Sequence, residues 1–258
     1  MYDPLNKEEK FLTKRERRNA RKMNKRGRKG NVVAINTQRH QPNSSDILIE
    51  ARNAAQSEFI AELNSKHNSI VFGVGPAGTG KTLLATLTAI KLLLDKKIKK
   101  IVISRPNIAA GGAESDIGFL PGGIDSKMAP WMMPVIDVFE EAVGKTQTQM
   151  WMKNGTIEIV PTAFIRGRTF KKSCVILDEA QNLSDDMMKA TLTRLGDHSK
   201  MFICGDIKQT DLNGSSGLAY ITQKVLNSDV KGIQVVEFSN DDIERHEVVS
   251  RVLELYGE

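Results

Sequence analysis

Lys81 and Thr82 close the octapeptide GPAGTGKT (Gly75 to Thr82), a gapless match to G-x-x-x-x-G-K-[ST]. An apolar run, IVFGV, precedes it and a helical pattern follows, which is the context this motif requires. With Gly75, Pro76, Ala77, Gly78, Thr79 and Gly80 leaving little side-chain bulk, the loop's backbone N–H groups can converge on a phosphate chain. The following helix N-terminus adds partial positive charge. Lys81 can then reach β- and γ-phosphates, and the Thr82 hydroxyl can hold Mg²⁺. An ordinary glycine-rich turn would need neither Lys81 nor Thr82 in register.

Two further stretches have the same layout, an apolar run ending abruptly in polar groups. In CVILDEAQN, Asp178 and Glu179 stand at the carboxyl edge of a predicted strand, where ligands of open α/β sheets bind. Asp178 is placed as a magnesium partner through water, since that ion keeps much of its hydration shell. Glu179 is placed to polarise an attacking water; capping of the next helix is the competing role. In KMFICGDIKQTDL, Gly205, Asp206 and Gln209 leave another strand. If that strand lies between the other two, Gln209 can reach a γ-phosphate or the attacking water.

The elements that must position these groups alternate. Helices are predicted near 48–64 (Ser45 or Asp46 as cap), at 80–94, near 131–143, at 184–195, near 216–226 and at 241–256. Strands are predicted at 69–74, 100–104, 156–160, 173–178, 200–204 and 233–237. Such alternation gives an α/β fold with a mostly parallel sheet covered by helices on both faces. The Gly- and Pro-rich stretch 105–130 reads as an irregular, functional loop, too long for an inert connection. Trp131 and the Met-rich KMAPWMMPVIDVF suit core packing or a subunit interface, with a channel lining or stacked base as the alternative.

The chain has 258 residues, 40% hydrophobic and 26% charged, as in ordinary globular proteins. Its net charge of +6 is unevenly spread: residues 1–30 hold twelve Lys/Arg against four Asp/Glu, a surplus of eight. The remainder is slightly acidic. Residues 1–45 therefore read as a basic flexible arm and 46–258 as one domain. Cys174 and Cys204 sit in apolar runs and read as buried free thiols; four scattered histidines show no zinc-ligand spacing. There is no apolar signal core, and the longest apolar run, Thr82 to Leu94, contains Lys91 and is too short to span a bilayer. A cytoplasmic location, in a bacterium or phage-infected cell, with no membrane partner, is expected.

GPAGTGKT, DEAQ and GDIKQ occur in the order found in superfamily 1 helicases. More specifically, the chain resembles the PhoH family, the phosphate-starvation-inducible ATPases of bacteria and their phages. ISRPNIAAGG, IGFLPGGIDSKMAPWMMPVID, AFIRGRTF, KATLTRLGDHSKMFICGD and DIERHEVVSRVLELY carry the resemblance further, over essentially residues 50–258. It implies a RecA-like P-loop NTPase domain that binds and hydrolyses ATP with Mg²⁺, links to RNA or DNA metabolism, and assembles into a ring, six subunits favoured. Gln56 is included among the nucleotide-binding residues. Some relatives carry an added nuclease or RNA-binding domain, and none is expected within these 258 residues.

Helicases of that superfamily complete the site with an arginine from a second domain. Here a neighbouring subunit is expected to supply it. Arg245, in DIERHEVV, is the first candidate because it resembles the family's RH motif; Arg168, beside Gly167 in IRGRT, is the second, with Arg194 and Arg166 behind them. RNA or single-stranded DNA could meet the arm or the ring interior. The leading reading is a ring-forming ATPase that remodels or moves on nucleic acid. A nucleotide-dependent switch or assembly protein without motor activity is the alternative. A small-molecule kinase is disfavoured, as Glu179 suits activation of water.

Overall fold

Short apolar runs separated by helices bury both faces only as central strands of a covered sheet. The computed structural model describes residues 42–106, 124–210, 216–244 and 248–249, with backbone alone for 124–131. Its strands are β1 (Ile70–Val74), β2 (Lys100–Ser104), β3 (Ile157–Ile159), β4 (Ser173–Leu177), β5 (Lys200–Gly205) and β6 (Ile233–Glu237). They form one six-stranded sheet in the order β3-β2-β4-β5-β1-β6, every pair parallel. This is a RecA-like P-loop sheet, and β5 does lie between β1 and β4, as the reading of Gln209 required.

The helices are α1 (Ala54–Asn64), α2 (Lys81–Leu94), α3 (Ile124–Val143), α4 (Lys145–Lys153), α5 (Asp185–Leu192) and α6 (Gly217–Leu226). Strand alternation divides the core in two. On one face Val71, Ile101, Ile103, Ile176 and Phe202 pack with Phe59 of α1, Ala89 of α2, Phe139 of α3 and Trp151 of α4. On the other, Phe72, Val102, Val175, Leu177 and Ile203 pack with Met188 of α5 and Leu218 of α6. Each fully buried side chain of this size contributes about 1.5–3 kcal/mol. Cys174 and Cys204 are free and buried, and burial pushes both thiols up.

Several expectations are corrected. The first helix starts at Ala54, because the Asn53 side chain accepts the Gln56 N–H at 2.9 Å and caps it there; Ser44–Asp46 is a separate 3-10 turn. The stretch expected to be irregular up to residue 130 is helical from Ile124, although Pro130 and Pro134 lie in it. Met132, Val135, Ile136 and Phe139 follow helical spacing and are all buried, which outweighs the prolines. Polar α4 escaped prediction because only Thr148 and Trp151 are buried in it. Asn240–Asp242 is a 3-10 turn and Ile243 is extended, so no helix starts at 241. The arm (1–41 of it), residues 107–123, the Trp131 side chain and Arg245 lie outside the described residues.

Candidate functional site

Parallel register aligns the strand ends that matter. Val74 pairs with Gly205, Leu177 with Ile203, and Ser104 with Leu177. The chain therefore leaves β1, β5, β4 and β2 along one edge, which brings out Gly75, Asp206, Asp178 and Arg105 side by side. A cavity of ≈ 290 Å³ opens there, lined by Ala77, Gly78, Gly80, Lys81, Thr82 and Leu83 on one wall. Asp178, Glu179, Gly205, Asp206 and Gln209 form the other. Lys81, Thr82, Asp178, Glu179 and Gln209 thus share one space, though up to 128 residues separate them along the chain.

The loop between β1 and α2 is held from outside. Phe238 donates its N–H to Val74 O at 2.7 Å, and Glu244 donates to Gly78 O at 3.0 Å. A Cβ on Gly75, whose φ is +148°, would lie 2.3 Å from the Phe238 carbonyl oxygen. That glycine therefore answers to the neighbouring strand. Buried Gln56 donates to Thr79 O at 3.1 Å and accepts from Arg52 N–H at 2.9 Å. It supports the loop from beneath and is not among the residues lining the cavity; Gly75, Pro76 and Thr79 are likewise behind the lining. Gly80, in left-handed conformation, starts α2 with no side-chain cap, so the first turn keeps its N–H groups for an anion.

Lys81 folds back into this loop. Its ammonium donates to Gly75 O (2.8 Å), Pro76 O (2.6 Å) and Thr79 Oγ1 (2.9 Å) and lies 5.7 Å from the Phe238 ring centre. Burial holds its pKa below the ordinary lysine value, partly offset by the carboxylates around it. The Thr82 hydroxyl donates to Asp178 Oδ1 at 2.7 Å. Burial pushes Asp178 above the usual carboxylate range, and the Thr82 hydrogen bond offsets part of that.

In a strand, successive side chains face opposite ways, yet Asp178 and Glu179 both face the cavity. The reason is local: Glu179 adopts φ 53°, ψ 38°, a left-handed conformation rare for anything but glycine or asparagine. Both its carboxylate oxygens are engaged. Arg105 reaches Oε1 at 3.1 Å and comes within 3.9 Å of Asp178 Oδ2. Gln181 donates to Oε2 at 2.6 Å.

Sequence reasoning missed Arg105 and Gln181. Arg105 follows an apolar strand directly, the same signal that identified Asp178. Gln181 is 1% exposed and joins three parts of the site: besides Glu179, it donates to Gln209 O (3.3 Å) and accepts from Asp206 N–H (3.1 Å). A Cβ on Gly205 would sit 2.7 Å from its Oε1, so glycine at the end of β5 makes room for this bridge. Gln181→Leu keeps the volume but leaves these groups unpaired. It is expected to destabilise the chain by about 1–3 kcal/mol, measured by urea denaturation.

Among the described candidate arginines, Arg166, Arg168 and Arg194 are not among the residues lining this cavity. Arg168 pairs with Glu158 at 2.9 Å and lies over Phe170, 5.0 Å from its ring centre. Arg194 donates from Nε to Ala190 O at 3.1 Å, and Arg166 is exposed. No group of three or more metal-ligating side chains occurs among the described residues, so a cation here would rest on Thr82 and Asp178 with oxygens from solvent or ligand. No helix among the described residues is long and apolar enough to cross a membrane.

Comparison with known proteins adds ancestry to this geometry. A model of the PhoH-like protein family matches residues 48–257. A PhoH-like protein of Bacillus subtilis (strain 168) is 42% identical over 216 residues, covering 83% of this chain and 66% of the relative. Protein PhoH of Escherichia coli (strain K12) is 38% identical over 232 residues, 88% of this chain and 63% of the relative. The chain thus spans just under two thirds of the length of these relatives. Among solved structures, the large terminase from a thermophilic bacteriophage aligns with a TM-score of 0.44 and 11% identity, over 78% of this chain and 49% of its own. Pif1 helicase from Candida albicans aligns with a TM-score of 0.39 and 15% identity, over 81% and 44%. Likeness at that level bears on neither activity nor partners.

Proposed function

The chain belongs to the PhoH-like protein family, and from that premise and the cavity we propose that it is a magnesium-dependent ATPase acting on RNA or DNA. The observation that carries the reading is the convergence of the Thr82–Asp178 pair, Lys81 and Glu179 on one cavity at the mouth of a glycine loop. The uncapped first turn of α2 receives phosphate oxygens, and Lys81 exchanges its loop carbonyls for the β- and γ-phosphates. Thr82 and Asp178 are hard oxygen donors suited to Mg²⁺, which when bound offsets phosphate charge. Glu179 orients water and takes its proton, and Gln209, on the same cavity wall, contacts the γ-phosphate or that water.

The described residues bring no arginine to the γ-phosphate side except Arg105, which is engaged with Glu179. In a ring, six subunits favoured, Arg245 or Arg168 of the adjacent copy would complete the site; such an arginine is worth about 10³–10⁵ in rate. Arg168 would first have to give up Glu158. A second reading, a nucleotide-dependent switch or assembly protein, is favoured by the engagement of both Glu179 oxygens, by Arg105 and Gln181, with which an attacking water would have to share them.

Calorimetry with ATP, with and without magnesium, coupled to a phosphate-release assay with RNA or single-stranded DNA, tests the proposal. ATP should bind more tightly with magnesium, and less so at low pH, where Asp178, its acid form favoured by burial, takes up a proton. Stimulated phosphate release favours the first reading. Binding without stimulated turnover favours the switch, and no nucleotide affinity overturns both.

A further inference from the structure

Because every strand is parallel, all the strand starts lie along the edge opposite the nucleotide cavity. The exit edge mixes the acidic Asp178, Glu179 and Asp206 with the basic Lys81 and Arg105. The entry edge is rich in basic residues. Lys96, Lys97 and Lys99 lead into β2, and Lys171 and Lys172 into its neighbour β4. His198 leads into β5 and Lys66 into β1. All seven are exposed. Lys97 is paired with Asp95 at 3.0 Å, while Lys66, Lys96, Lys99, Lys171 and Lys172 are in no ion pair among the described residues. Lys200 differs, since its ammonium is taken up by the carbonyls of Leu63, Ser65 and Asn68 and holds the fold.

Two observations separate this row from ordinary solvated lysines. The first is backbone strain. Among the described residues, four that are not glycine have positive φ: Lys96 (58°), Lys172 (50°), His198 (56°) and Glu179 (53°). Glycine or asparagine takes this conformation at least cost. One of the four is the carboxylate of the nucleotide cavity, and the other three are basic residues of this edge. At Lys96 this conformation closes α2, with Lys96 N–H donating to Leu93 O at 3.0 Å and Lys97 N–H to Leu92 O at 2.9 Å. Lys172 and His198 carry it in the loops into β4 and β5, where strain of this kind collects at functional side chains. The second is shape. A groove of ≈ 550 Å³ lies on the edge, with Lys66, Lys97, His198 and Lys200 in its walls beside one carboxylate, Asp197, and the amide side chains of Asn64 and Asn68. The loops are also tied together, Lys99 N–H to Lys172 O at 2.6 Å and Lys172 N–H to Asp197 O at 2.9 Å, which fixes the spacing of the charges.

We propose that this strand-entry edge is a binding surface for the phosphodiester backbone of a nucleic acid. It presents ammonium groups in a row without aromatic side chains among the lysines, so it holds backbone and leaves base identity unread. The inference rests on the nucleic-acid part of the proposed function and is independent of nucleotide binding and hydrolysis.

The test uses the full-length chain and fluorescein-labelled single-stranded RNA and DNA of equal length, with anisotropy followed across a salt series. Lys96→Ala/Lys99→Ala/Lys171→Ala/Lys172→Ala should weaken binding at least about tenfold and make the log affinity–log salt slope shallower by about 3, roughly 0.7 per contact. Lys145→Ala/Lys189→Ala, on α4 and α5, should change neither. Calorimetric ATP affinity of the quadruple variant should match the unmodified chain, so that loss of ATP binding by all chains would strike the ATPase reading and leave this one standing. An unchanged affinity and slope in the quadruple variant would assign binding to the arm and overturn the proposal. So would absence of oligonucleotide binding by the unmodified chain. Tighter binding of labelled poly-glutamate than of either oligonucleotide would assign the edge to an acidic protein and likewise overturn it.

Discussion

Glu179→Gln is expected to lower phosphate release by about 10²–10⁴-fold, the range for loss of a positioned base, while ATP affinity stays within about threefold. The replacement keeps the side-chain shape and the cavity's lining but removes the charge that would accept a proton from water. In the proposed site nucleotide affinity rests on the glycine loop, Lys81 and the Thr82–Asp178 pair, whereas the Glu179 carboxylate is hydrogen-bonded to Arg105 and Gln181. Single-turnover hydrolysis and calorimetry on the same preparation separate the two effects. Equal loss of binding and turnover would mean that Glu179 holds the site together, through Arg105 and Gln181, and is not the base.

Lys81→Ala carries the second large effect, and on binding. Its ammonium is held by three oxygens of its own loop, and the charge-assisted contacts that replace them on a triphosphate are worth about 1.5–3 kcal/mol each. ATP affinity is expected to fall about 10²-fold or more. ADP affinity should fall less, because one of the phosphates Lys81 reaches is missing. The empty chain should change little in melting temperature, since burial of the ammonium already offsets the bonds it makes. Titration of the variant with ATP and ADP checks this, and identical losses for the two would remove Lys81 from the γ-phosphate.

The site was legible where chemistry is written in adjacent residues. Lys81 and Thr82 are neighbours in a motif, and Asp178 and Glu179 end a single apolar run. The left-handed turn at Glu179 that aims both carboxylates into one cavity leaves no mark in composition. Nor does the reason for Gly75, which avoids the Phe238 carbonyl from a strand at the far end of the chain. Gln56 was placed with the nucleotide, and the fold sets it under the loop as a support for Thr79.

The sequence alone determined the class of fold, the glycine loop that opens α2 and the acidic end of β4, because each depends on residues within one turn or one strand. Only the tertiary structure decided that β5 separates β1 from β4 and that Arg105 meets Glu179, 74 positions away. It likewise decided that lysines from separate loops line a single edge. Those outcomes follow from which strands become neighbours, a choice made by the joint burial of many side chains on two faces of the sheet.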